Sequence, residues 1–184
     1  EAAGVALATI FMSRFGDANA FVRRAVAEGR LGRLMQCDAY VKWFRDQAYY
    51  DSGAWRGTKR LDGGGALMNQ AIHQVDLLLW VMGPVAEVFA YADTLAHERL
   101  EVEDTLVAVL RYENGALGQI AAATSHWPGL PKALHVHGDE GVAIVEDDVL
   151  VEWRTKAGGE AERERVLAEF GGQATGGAAD PMAI

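Results

Sequence analysis

Asn69, His73 and Asp76 stand out by type and spacing among the residues able to do chemistry. At roughly 100° per residue, steps of four, three and seven bring them within about 60° of one another on a helix, so an amide, an imidazole and a carboxylate share one stripe. Imidazole ordinarily titrates nearest neutrality, which suits it to take a proton from an alcohol. Asn69 could hold that alcohol or a neighbouring hydroxyl, and Asp76 could orient the helix end or a ring nitrogen. The stretch that carries them, 62–84, is expected to form one helix. Asp62 and the run Gly63-Gly64-Gly65 leave backbone N–H groups uncovered at its start, and Gly83-Pro84 stops it. Leu67, Ala71, Val75, Leu78, Leu79 and Met82 form its apolar side. Three glycines weaken a helix start by roughly 1 kcal/mol each relative to Ala, so they mark a place where another backbone or a ligand comes close.

Upstream elements must bring further groups to this helix. Over 34–44, Met35, Cys37, Ala39, Val41 and Trp43 alternate with Gln36, Asp38, Tyr40 and Lys42, the period of a half-covered strand with Lys42 on its polar side. Residues 45–61 follow neither a helical nor a strand period. With Tyr49, Tyr50, Trp55 and Arg56 they read as a functional loop, although aromatics can also plug a loop onto a core.

Taken together, several motifs resemble the NAD(P)-dependent sugar oxidoreductase family that includes glucose-fructose oxidoreductase and inositol dehydrogenase. They are Lys42-Trp43-Phe44-Arg45, Tyr49-Tyr50, Trp55-Arg56-Gly57-Thr58, the Gly-Gly-Gly-Ala-Leu helix start, His73, Asp76 and the ending from Trp80 to Pro84. The resemblance runs over about residues 5–155 and is specific through the combination. It implies catalytic roles for His73 and Asn69, a substrate side lined by Lys42, Tyr50, Arg56 and Asp76, and NAD or NADP bound mainly by a preceding dinucleotide-binding domain. In such proteins the His works with a Lys from a Glu-Lys-Pro segment of that domain. Neither that segment nor a Gly-x-Gly-x-x-Gly turn occurs here, and Gly63-Gly64-Gly65 lacks the phosphate-binding spacing. Two positions depart from the family pattern: Asn69 stands where Asp is common, and Ala71 where Gly is common.

The fold class expected is α+β, an open and mostly antiparallel sheet with helices packed on one face. A helix is expected from Asp17 to about Glu28, and strands at about 34–44, 86–95, 104–112, 116–125, 133–138, 142–146 and 149–155. Glu113-Asn114-Gly115 marks a tight hairpin, and the later strands read as a meander. Val5 to Met12 could be a buried strand or the end of a preceding domain. Three segments follow: 1–15 as a remnant of a Rossmann domain, 16–155 as the substrate-binding and oligomerisation domain, and 156–184 as a mobile Gly/Ala-rich segment with the start of a helix near Asp180-Pro181. Too few helices remain to cover both sheet faces, so a second copy is expected as the lid, giving a homo-dimer or homo-tetramer.

Composition narrows the alternatives. The net charge of −9 over 184 residues argues against a nucleic-acid surface, which needs clustered Lys and Arg. No apolar run approaches the ~20 residues that span a bilayer, and a cytoplasmic setting is the default. Cys37, the one cysteine, excludes an intrachain disulfide and reads as a small core residue. His97, His126, His135 and His137 invite a metal, and His135 and His137 share one strand face, but exposed strand pairs of this kind are common. Glu103 and Asp104 would point opposite ways on a strand and read as two solvated side chains rather than a catalytic pair. The leading expectation is an oxidoreductase domain acting on a secondary alcohol of a sugar, cyclitol or nucleotide-linked sugar. Its rivals are a non-catalytic oligomerisation or ligand-sensing domain, and a metal hydrolase using His73 and Asp76 with His126 or His137.

Overall fold

A computed structural model describes residues 3–172. Its spine is a single seven-stranded sheet flanked on one face by helices. In chain order the elements are α1 (Asp17–Ala27), β1 (Leu34–Lys42), α2 (Gln47–Asp51), α3 (Ile72–Met82), β2 (Val85–Asp93), β3 (Thr105–Tyr112), β4 (Leu117–Ala123), β5 (Ala133–Gly138), β6 (Gly141–Glu146), β7 (Val149–Thr155) and α4 (Gly159–Phe170). The mostly antiparallel open sheet expected from the sequence is present, with strand order β2-β3-β4-β1-β5-β6-β7.

The strands after α3 do not form one continuous meander. Two three-stranded meanders, β2-β3-β4 and β5-β6-β7, are joined through β1, which runs parallel to β4 and antiparallel to β5. With ladder bonds on both edges, β1 is the central strand. Its odd residues Cys37, Ala39 and Val41 face the helices and are buried.

The core lies between that face and helices α1 and α3. Phe21 of α1 packs edge-on to Trp153 of β7 with ring centroids 4.9 Å apart, and stacks on Phe170 of α4 at 4.4 Å. Leu77, Leu78, Val81 and Met82 bury the apolar side of α3. Close approach replaces side chains at Gly118, where a Cβ would overlap the Cys37 carbonyl, so β4 can lie against β1.

Two stretches differ from expectation. Residues 4–11 form no strand, and Leu7 is 97 % exposed, because the apolar run has no strand partner among the described residues. The chain then makes one 3-10 turn at Met12–Phe15 before α1. Residues 159–170, read as part of a mobile segment, form α4 instead. Ala, Glu and Arg favour a helix there, and it is fastened to the sheet. Glu162 accepts from Arg30 (2.7 Å) and Thr155 (2.6 Å), Arg163 grips Glu152 (2.8 Å), and Val166 is buried. The helix expected near Asp180-Pro181 lies outside the described residues.

No helix among the described residues covers the other sheet face. Across it the register aligns Phe89, Val109, Gln119, Asp38, His135 and Ile144 in one row, and Tyr91, Val107, Ala121, Tyr40 and Ala133 in the next. Its β2–β3 end is apolar and exposed, with Phe89, Tyr91, Val107 and Val109 in the open. Its centre is polar: Asp38 accepts from Gln36 Nε2 (2.8 Å) and from the Gln119 backbone N–H (3.2 Å), while Gln119 Nε2 donates to the Tyr40 hydroxyl (2.6 Å).

Candidate functional site

The expected single helix over 62–84 is in fact two pieces with a wide turn between them. Ala66–Gln70 wind as a π turn, closed by the Ala71 N–H to the Ala66 carbonyl (3.0 Å), and α3 starts only at Ile72. Glu103 causes this geometry. Its carbonyl accepts from the Ala66 N–H (2.9 Å) and its carboxylate from the Leu67 N–H (3.0 Å), so a residue distant in sequence caps the turn. The approach is close enough that a Cβ on Gly65 would overlap Glu103. At Gly65, therefore, the glycine run admits a neighbouring backbone, not a phosphate.

The wide turn sets Asn69 and His73 at one edge of the helix. Asn69 is exposed and donates through Nδ2 to Asp62 Oδ1, while its own Oδ1 accepts from Gln70 Nε2 (2.5 Å). An amide at 69 can make that donation to Asp62, and a carboxylate could not. His73, one turn on, is half-buried with the Phe11 ring edge-on at 6.1 Å. Its buried Nδ1 has no hydrogen-bond partner among the described residues. A buried ring nitrogen left unpaired is uncommon; Asn19, Arg23, Trp43 and Gln74 also keep a buried polar atom without a partner among the described residues.

Asp76 does not join them. Both of its oxygens are taken by Arg14, at 2.7 Å from Nε and 2.6 Å from Nη2, and it is buried. The same pair raises the pKa of Arg14 against the opposing effect of its desolvation. The Arg14 guanidinium also lies 5.4 Å from the Trp80 ring, tying the turn at 12–15 to α3. Asp76 thus anchors the helix to Arg14.

Lys42 is separated as well: it shares the uncovered sheet face with Tyr40, whose ring is 5.1 Å from its Nζ, whereas α3 packs on the opposite face. Tyr50 is buried with its hydroxyl 2.7 Å from Thr124 Oγ1, and burial, the main cause, pushes its pKa up. Its neighbour Tyr49 is the one at the surface. In α2 two adjacent residues point about 100° apart, so one must turn inward, and the sequence does not say which.

Arg56 does sit beside the Asn69 turn. Gln70 Nε2 donates to the Tyr49 hydroxyl (3.4 Å), and the Arg56 guanidinium lies 4.2 Å from the Tyr49 ring and 4.5 Å from the Trp55 ring. Arg45 is 5.3 Å from Tyr49 and 5.5 Å from Trp43. Asn69, Gln70, Tyr49 and Arg56 therefore form one contiguous surface, of which Tyr49 was read with the loop but not as a substrate residue and Gln70 was not singled out in the sequence. Gln70 had a signal, being adjacent to Asn69.

Beneath this surface Asp104 and His97 hold the loop at 94–104. Asp104 is fully buried and accepts from the backbone N–H groups of Leu95 (3.0 Å), Ala96 (2.9 Å) and His97 (3.0 Å) and from Thr105 Oγ1 (2.8 Å). His97 Nδ1 is 2.9 Å from Asp104 Oδ2, and its Nε2 donates to the Arg45 carbonyl (2.8 Å). Burial alone pushes the Asp104 carboxyl up, but these donors outweigh it and bring it down to about 2. The expectation of two solvated carboxylates at 103 and 104 is thus corrected: both are structural ligands of backbone N–H groups. Among the described residues no three His, Cys, Asp or Glu side chains converge as a metal site would require.

The sequence pattern of the GFO/IDH/MocA C-terminal domain matches residues 20–144. The chain belongs to that family. Its fold superposes on the WlbA dehydrogenase from Bordetella pertussis, solved in complex with NADH and UDP-GlcNAcA, with 40% identity and a TM-score of 0.79 over 84% of this chain and 48% of that one. The levoglucosan dehydrogenase of Pseudarthrobacter phenanthrenivorans is 26% identical over 73% of this chain and 40% of its own length. The 1,5-anhydro-D-fructose reductase of Ensifer adhaerens is 28% identical over 77% and 42% respectively. This family member thus spans less than half the length of these relatives. No helix among its described residues is long and apolar enough to cross a membrane.

Proposed function

We propose that this chain is the substrate-binding and proton-accepting half of an NAD(P)-dependent oxidoreductase that oxidises a secondary alcohol of a sugar, cyclitol or nucleotide-linked sugar. The observation that carries it is His73: half-buried at a helix edge, one turn from the exposed Asn69, with a buried ring nitrogen that has no partner among the described residues. NAD or NADP, when bound, accepts the hydride. The described sheet contains no strand–turn–helix cradle for a pyrophosphate, so the cofactor would be held mainly by a dinucleotide-binding domain elsewhere in the protein. What this chain supplies is the other half of the reaction. His73 takes the hydroxyl proton as the C–H bond breaks, and Asn69, itself oriented by Asp62 and Gln70, holds an oxygen of the substrate. The 40%-identical neighbour bound to UDP-GlcNAcA supports a nucleotide-linked sugar over a free one.

In the whole protein, His73→Gln is expected to lower kcat by about 10² to 10⁴ while substrate binding persists. Undiminished turnover would instead favour a non-catalytic sensing or assembly role. The proposal extends to a homo-dimer or homo-tetramer built through the uncovered sheet face, supported by the exposed Phe89, Tyr91, Val107 and Val109, and to a cytoplasmic setting.

A further inference from the structure

We infer that Arg14 is a positioning residue for His73: paired with Asp76, it clamps Phe11 against the imidazole, which shuts Nδ1 away from water and leaves Nε2 as the nitrogen that takes the proton. This rests on the reading of His73 as the proton acceptor and adds the part of the chain that sets its working atom. The two pairs match in spacing. His73 and Asp76 stand three residues apart on α3, one turn along the same side. Phe11 and Arg14 are also three apart, and the Arg14 N–H donates to the Phe11 carbonyl (3.2 Å), so one turn of chain presents both to the helix. Phe11 meets His73 edge-on at 6.1 Å, and Arg14 holds both oxygens of Asp76, at 2.7 and 2.6 Å.

The clamp is fixed from each side. The Arg14 guanidinium lies 5.9 Å from the Phe11 ring and 5.4 Å from the Trp80 ring, so the group that binds Asp76 also backs Phe11. Between them Ser13 is buried, its carbonyl accepting from Asn19 Nδ2 (2.9 Å), which secures the turn to α1. A bidentate Arg–carboxylate pair suits this task, because two parallel hydrogen bonds fix an angle as well as a distance. The consequence falls on one ring nitrogen. His73 is half-buried; of its two nitrogens Nδ1 alone is enclosed, and Nε2 stays open. A neutral imidazole accepts at one nitrogen and carries its proton on the other, so a base working through Nε2 keeps its proton on Nδ1. With water excluded from Nδ1 that proton is not exchanged, and the ring holds one tautomer.

The test uses the whole protein. Kinetics follow UDP-GlcNAcA as the probe with NAD and NADP, well below the melting temperature of every variant. The tautomer of His73 is read from the ring-nitrogen shifts of nitrogen-labelled histidine, with His73→Gln assigning the signal. Phe11→Ala and Arg14→Gln should each lower kcat about 10- to 100-fold with KM little changed, the scale of a misplaced catalytic group. Arg14→Lys, which keeps the charge without the fork, should fall between. Wild type should show a single His73 tautomer with the proton on Nδ1, and in Phe11→Ala and Arg14→Gln the two nitrogen shifts should converge as tautomers average. Either readout unmoved in those two variants would overturn the inference and leave the Arg14–Asp76 pair a structural tie, as would a wild type whose His73 carries its proton on Nε2. Undiminished turnover in His73→Gln, or no turnover of the probe by wild type, would instead reject the oxidoreductase reading, and the ring signals alone then decide whether the clamp sets the tautomer.

Discussion

At the scale of single residues, side chains that resemble catalytic groups divide into those already satisfied and those that are not. Asp76, Tyr50 and His97 look reactive in the sequence, yet each is saturated by an internal partner: Arg14, Thr124 and Asp104. His73 keeps an unpaired ring nitrogen and Arg56 has no ion-pair partner among the described residues. Asp104 allows a direct check. Its carboxyl falls from an ordinary 3.8 to about 2 on folding, so its contribution is fully present above the ordinary value and is lost as pH falls toward 2. Asp104→Asn should therefore destabilise the protein by about 3 kcal/mol near pH 7, the cost of breaking a buried charged contact. The gap to wild type should shrink as the pH drops from about 4 toward 2. Urea melts that gave the same gap near pH 7 and near pH 2.5 would show that ionisation of Asp104 is not what holds the loop.

At the scale of elements, the two ends of the helical stretch carry glycines for different reasons. Gly83 has φ of +85° and ψ of −163°, a region essentially reserved to glycine, and lies in open space, so Gly83→Ala costs backbone strain alone, about 1–3 kcal/mol. Gly65 lies against Glu103, and Gly65→Ala should cost about 3 kcal/mol as the turn is pushed off its cap. A loss under about 1 kcal/mol for Gly65→Ala in denaturant titrations would mean that Glu103 yields easily and does not shape the turn. The strands, α1 and the helix stop were legible because periodicity and Gly-Pro act locally: Gly83 ends α3, and Glu113-Asn114-Gly115 makes the β3–β4 turn. The break at Ala71 was not legible, because its cause is Glu103, more than 30 residues away. The placement of Lys42 was likewise hidden. Alternation shows that Lys42 and Val41 face opposite ways, but not that the helices would choose the side of Val41.

At the scale of the whole molecule, the uncovered face is apolar at the β2–β3 end and polar in the middle. Val107 is half exposed there, beside Tyr91 of the paired strand. If a second copy covers this face, as proposed, Val107→Glu would bury a charge in the contact and shift the protein toward monomer. Sedimentation of the whole protein should then show a dimer or tetramer for wild type and a smaller species for the variant; identical profiles would place any assembly elsewhere.

The position of β1 also has a consequence in time. Its ladder partners are β4 and β5, and the Asp38–Gln119 hydrogen bond alone spans 81 residues. During synthesis from the N-terminus the central strand of the sheet is therefore made early and waits, both edges bare, until the last part of the β2-β3-β4 meander has emerged. Through that interval Asp38 and Lys42 keep charge on a ribbon whose other side is Cys37, Ala39 and Val41, the kind of gatekeeping that discourages pairing with a neighbouring chain. Once β4 arrives, Asp38 is enclosed by Gln36, Tyr40 and Gln119, so the residue that guards the nascent strand becomes part of the finished sheet.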